Sequence, residues 1–184
     1  MVDFDKLNES INAINEVLND LDIETKAIKK NVDYKKADAF GIMYNDVLKY
    51  IRLIVKASNG RPGTFELNVK FDNGYQFGIG KSWYCGNYEY CFKVRTDYCD
   101  DWYPIWIGDI NKPYTKYVFE SLNRSPKSVQ WLVDIVAIEW EEYKIKIENV
   151  VATHVNNIIT ERSKKMHKEY ECISNEAERL NVEI

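Results

Sequence analysis

The amino-acid sequence predicts an α+β fold: N-terminal helices, a small antiparallel β-meander, and a long C-terminal helix or broken helix pair. Three observations carry that expectation. Both ends of the chain repeat apolar residues at three- and four-residue steps, the period of a helix that packs along one side. The middle alternates apolar and polar residues around a strong turn, the pattern of strands with one covered face. Helical and strand patterns are segregated along the chain. A single domain over residues 1–184 follows, helical at 1–57, sheet at 64–107 and helical again at 113–184.

Residues 3–30 read as the first helix. Phe4, Leu7, Ile11, Ile14, Leu18, Leu21 and Ile28 form a heptad seam that only Thr25 interrupts. Acids crowd its first two thirds (Asp3, Asp5, Glu9, Glu16, Asp20, Asp22, Glu24), and Lys26, Lys29, Lys30, Lys35 and Lys36 follow. Acid first and base last suits the helix dipole. A turn or bend at residues 31–33 leads to a second helical pattern over 33–57, with Ala37, Phe40, Tyr44, Val47, Leu48, Ile51 and Ile54 on one side. The run Ser58, Asn59, Gly60, Arg61, Pro62, Gly63 ends it.

From residue 64 to 71 the alternation is strict. Phe65, Leu67, Val69 and Phe71 are expected to be buried, and Glu66, Asn68 and Lys70 exposed. Asp72, Asn73 and Gly74 mark a hairpin, and Tyr75, Phe77 and Ile79 continue the pattern on the return strand. Residues 88–95 read as a third strand and 102–107 as a fourth. The stretch 80–87 is a loop or a bulged strand end. A short helix is expected over 113–122.

Ser125 and Pro126 then suit the start of a long helix. Its first seam is Val129, Val133, Val136, Trp140, Tyr143, Ile147 and Val150; its second is Ile159, Met166, Ile173 and Leu180, with Tyr170, Ala177 and Ile184 between. The two are out of phase across a stretch of β-branched residues and asparagines, weaker helix formers. Either the helix breaks near 153–157, or its second half projects beyond the globule and finds another helix. The pairing expected is of residues 4–28 with 159–180, within one chain or across a homodimer, as a coiled-coil-like bundle. The first of these is acidic through Glu24, whereas Arg162, Lys164, Lys165 and Lys168 make part of the other basic.

Composition is that of an ordinary globular protein, 45% hydrophobic and 29% charged, long enough for a core. The N-terminal residues lack a signal-peptide pattern, and no apolar run approaches membrane-spanning length, so a cytoplasmic protein without a membrane partner is expected. Lysine heavily outnumbers arginine, and Ile, Asn and Tyr are abundant; their AT-rich codons point to a low-GC bacterium or its phage. A net charge of −4 gives no sign of direct nucleic-acid binding. Cys85, Cys91, Cys99 and Cys172 form no C-x-x-C pair and read as free thiols.

Gly78, Ile79, Gly80, Lys81 and Ser82 resemble the end of a phosphate-binding loop. The earlier glycine is misplaced by one residue, at Gly74, and no helix start follows. The cysteines and histidines lack a compact zinc spacing. His154, on the first seam, reads as a packed or capping residue. Asp97, Asp100, Asp101 and Asp109 lie close together, and paired carboxylates can hold a divalent ion. A nuclease-like Glu-x-Lys strand with the right spacing is missing.

The same segment interleaves those acids with Tyr98, Trp102, Tyr103 and Trp106, and residues 96–110 contain no Lys or Arg. Aromatic anchors in a polar rim are what protein interfaces use. The alternative is that Trp102 and Trp106 alternate into the core and only the acids are wet. The reading adopted is a non-catalytic protein-binding module in which Asp97, Tyr98, Asp100, Asp101, Trp102, Tyr103, Trp106 and Asp109 meet a basic partner. Such a partner suits a phage or mobile-element inhibitor of a bacterial nucleic-acid-binding defence enzyme, as anti-CRISPR proteins are. No catalytic residue, metal site or cofactor is assigned. The alternatives are a metal-dependent nuclease-like enzyme using the same segment and a structural coiled-coil oligomer.

Overall fold

The computed structural model describes residues 4–72, 74–84, 86–95, 102–115, 118–119, 122, 127–136 and 139–180. It has the α+β architecture expected. Helix α1 (Phe4–Ala57) is followed by strands β1 (Phe65–Lys70), β2 (Gln76–Tyr84), β3 (Asn87–Arg95) and β4 (Tyr103–Ile107), then a short helix α2 (Lys127–Trp131), a π turn (Leu132–Val136) and helix α3 (Trp140–Arg179). The strands form one antiparallel sheet in the order β1-β2-β3-β4, the meander read from the sequence. The β1–β2 turn places Gly74 at φ 85°, and the β2–β3 turn Gly86 at φ 91°, both in the left-handed region that glycine adopts without strain. β2 runs through Tyr84, so residues 80–84 are strand rather than loop, and the glycines at 78 and 80 lie inside it. A phosphate loop leading into a helix is therefore not formed there.

One face of the sheet packs on α1 and α3. Phe77, Ile79, Phe92, Val94, Ile105 and Ile107 supply that face. Phe40, Met43, Val47, Leu48, Ile51 and Ile54 supply the α1 stripe, and Trp140, Ile147 and Val151 that of α3. The α1 residues recur at three- and four-residue steps, which is why one helix face can be wholly apolar. Aromatic rings fill the centre: Tyr44 meets Phe92 edge-on at 5.8 Å, and Phe77 stacks on Phe92 at 5.9 Å. On β1 the alternation holds, with Glu66, Asn68 and Lys70 exposed. Val69 and Phe71 are buried, whereas Phe65 and Leu67 are only half-buried, because β1 is an edge strand.

One expectation about the helices is corrected and an open one is decided: of a break near 153–157 or a projecting second half, the structure has the projection. Residues 31–33 form no turn, and α1 is one helix of 54 residues, about 80 Å long. α3 runs unbroken through 153–157. There Thr153 Oγ1 donates to the Asn149 carbonyl at 2.8 Å and Val151 is buried in the core, so packing outweighs propensities of a few tenths of a kcal/mol. The interruption falls earlier, at the π turn. A π turn widens the helix locally; here Leu132 and Val133 stay buried while the Asp134 carboxylate accepts from Lys36 of α1 at 2.5 Å and from Gln130 at 2.5 Å. Ser125, Pro126 and residues 116, 117, 120 and 121 of the short helix expected over 113–122 lie outside the described residues; residues 113–115 are not helical, whereas 118, 119 and 122 are, and Phe119 and Leu122 are buried.

α3 does pack beside α1, and cross-links show how. Trp140 Nε1–H donates to Asp46 at 2.8 Å, Tyr50 O–H donates to Glu148 at 2.9 Å, and the Arg162 guanidinium donates to the Ala57 carbonyl. Partners rise together along both helices, so α1 and α3 run in the same direction. Everything in α1 before Lys36 therefore leaves one end of the globule, and everything in α3 after Arg162 leaves the other.

Candidate functional site

Of the acidic-aromatic residues singled out by sequence, Asp97, Tyr98, Asp100 and Asp101 lie outside the described residues; Trp102, Tyr103, Trp106 and Asp109 are described. Register decides what the last four do. Tyr103 pairs with Val94, Ile105 with Phe92 and Ile107 with Tyr90, so these side chains share the helix-facing side. Trp106 pairs with Cys91 on the opposite face. The two isoleucines, not the tryptophans, enter the core. Asp109 is exposed, and its carboxylate accepts the Asn111 backbone N–H at 2.9 Å, holding the turn that follows β4.

The face away from the helices holds a cation-aromatic cluster. The Lys93 ammonium lies 4.8 Å from the centre of the Trp102 ring, and the Arg95 guanidinium 4.7 Å from the same ring. Lys93 is 8% exposed, and it pairs with Glu66 at 2.7 Å. Glu66 also accepts from Asn68 at 2.8 Å. The bonds from Lys93 and then Asn68 hold the Glu66 carboxyl below the usual carboxylate range. Arg95 donates twice to Gln76 Oε1, at 3.1 and 2.9 Å. Gly78 makes room for this: a Cβ there would stand 2.6 Å from Asn68 Oδ1 and 3.1 Å from Lys93 Cγ.

Sequence reasoning missed the cluster, although the alternation of β1 and β3 already placed Glu66, Asn68, Lys93 and Arg95 on faces opposite their apolar neighbours. What it lacked was the register setting β1 and β3 on either side of β2. Burial raises the Cys91 thiol pKa, the opposite of an activated nucleophile. Among the described residues no three His, Cys, Asp or Glu side chains gather as a metal would need. His154 packs on the Phe65 ring at 5.6 Å, the role expected of it, and burial lowers its pKa. Trp83 and Tyr88, both exposed, meet edge-on at 5.0 Å at the end of the β2–β3 hairpin.

Among the described residues, exposed large apolar side chains concentrate on the two helical arms. Ile11, Ile14, Leu18, Leu21 and Ile28 are 47–58% exposed, and Ile159, Met166, Tyr170, Ile173 and Leu180 are 52–66% exposed. The expected pairing of these seams is not made within one chain. The common direction of α1 and α3 is the reason, since it sends the seams out of opposite ends. Val17, Ile23 and Val32 add to the exposed apolar surface of the first arm. Among the described residues no helix is long and apolar enough to cross a membrane. Compared with family models, curated proteins and solved structures, the chain matches none.

Proposed function

We propose that the chain is a non-catalytic protein-binding module. The observation behind this reading is the pair of arms, each presenting an apolar seam to solvent over several turns of helix. Contiguous apolar surface of that extent marks interaction sites in soluble proteins. Helix-in-helix packing is the mode that heptad seams serve.

A narrower form of the proposal is an inhibitor of the anti-CRISPR kind. In it, Asp97, Tyr98, Asp100, Asp101 and Asp109 meet the basic surface of a nucleic-acid-binding enzyme. The run of acids and aromatics from 96 to 110, without Lys or Arg, supports it. The test is direct binding of the purified chain to a panel of bacterial nucleic-acid-binding defence enzymes. Binding to a basic member is expected, weakened about tenfold or more by Asp100→Ala with Asp101→Ala, since truncating interfacial charges costs at least about 1.4 kcal/mol when they are paired. Metal-dependent cleavage of DNA or RNA by the chain itself, lost in Asp101→Ala, would make it an enzyme instead.

A further inference from the structure

We propose that two copies of the chain form a closed antiparallel dimer in which the N-terminal arm of each packs along the C-terminal arm of the other. The inference rests on the protein-binding reading and names the occupant of the arms. Within one chain the arms leave opposite ends of the globule, pointing along a common helix direction. A two-fold axis perpendicular to that direction reverses one copy. It brings each N-terminal arm beside the partner copy's C-terminal arm, at both ends at once, with the helices antiparallel. Such an arrangement is isologous and closes on itself. Symmetry also doubles the buried surface, which favours reaching the roughly 1,200 Å² at which stable interfaces begin.

Seam and charge select the same alignment. With Leu18 opposite Met166, Ile14 falls opposite Tyr170 and Ile11 opposite Ile173, apolar against apolar in successive layers. That setting also lays the acidic stretch holding Glu16, Asp20, Asp22 and Glu24 along the basic stretch holding Arg162, Lys164, Lys165 and Lys168. Sliding by one heptad keeps the apolar layers but moves that basic stretch level with residues 23–29, where Lys26 and Lys29 stand. The acid-base match along the arms is weaker in that alternative. A foreign helix would have to reproduce this match; a second copy carries it already, on an arm that is free at the correct end.

The test is sedimentation equilibrium of the full chain and two variants, Leu18→Asp and Ile173→Asp. Wild type is expected at twice the 21.7 kDa chain mass. Each variant alone is expected as a monomer with unchanged near-UV circular dichroism, because both positions are exposed in the single chain. A mixture of the two variants is expected to recover a mixed dimer, weaker than wild type, because one intact arm pair survives in it. Monomeric wild type up to about 100 µM overturns the second-copy assignment, and so does a dimer indifferent to both substitutions. A mixture that stays monomeric while wild type dimerises means that like arms pair, which also overturns it. The protein-binding reading fails separately, when neither self-association nor binding to a partner protein changes with the arm substitutions.

Discussion

The two halves of α1 carry the same periodicity and meet opposite fates. Phe40, Val47, Leu48, Ile51 and Ile54 are shut inside the globule, whereas Ile11, Ile14, Leu18, Leu21 and Ile28 stand half in water. Both stripes recur at three- and four-residue steps on one continuous helix. A heptad repeat therefore encodes a face that must be covered, and is silent about what covers it. For the second half, the sheet and α3 answer within the chain. For the first, the direction in which α3 runs carries the matching seam to the opposite end of the globule.

Substitutions at matched positions in the two halves sharpen this contrast most. Ile51→Ala should destabilise by about 2–5 kcal/mol, as a cavity in a filled core does. Ile14→Ala should stay within about 0.5 kcal/mol at concentrations that keep the chain monomeric. Urea unfolding reads both, and equal losses would erase the distinction.

The tie between α1 and α3 comes next. Trp140→Phe keeps most of the ring but removes the bond to the Asp46 carboxylate, and a loss of about 1.5–3 kcal/mol is expected. A neutral outcome would mean that ring packing alone holds the helices side by side. Leu67→Ala, on the half-buried edge strand, should cost about 1–2 kcal/mol, less than a core truncation. A cost as large as that of Ile51→Ala would show the edge to be covered.

The smallest effect is a pH dependence at His154. Burial against Phe65 lowers its folded-state pKa below the ordinary 6.5. The unfolded chain then binds the proton more readily, so stability is full above about pH 6.5 and falls as pH drops through the folded-state value. Asp46, Glu66 and Asp134 are held below their ordinary values near 4, so their losses fall at lower pH. His154→Phe should flatten the stability profile below pH 6.5 while leaving the acid limb in place. An unchanged slope in that variant would assign the titration elsewhere.

Much of the fold was legible. Strict alternation at 64–71 with the turn ending in Gly74 specified the hairpin, because a one-residue slip would turn every apolar side chain outward. The buried stripe of α1 was readable for the same reason at helical period. Helix continuity was not. Weak helix formers at 153–157 left open a break or a projecting second half, and Val151, His154 and Val155 pack there and hold the helix together. The real interruption, at 132–136, shows no glycine or proline. It follows instead from fitting Leu132 and Val133 into the core while Asp134 reaches Lys36, a tertiary demand. The outer cluster was half legible: alternation gave the face, but only register brings Glu66 to Lys93 across the glycine at 78. At Trp102 and Trp106 the phase was the question, and pairing of Ile105 with Phe92 answers it.

Hydrogen exchange along α1, followed as a function of protein concentration, tests the central claim most directly. Residues 40–57 should be protected at every concentration. Residues 9–34 should exchange quickly when the chain is dilute and become protected as concentration rises, because only a partner covers their seam. Protection of the arm that is already complete at the lowest concentration would mean that the chain covers its own seam. Rapid exchange at all concentrations would mean that nothing covers it; either result contradicts the account.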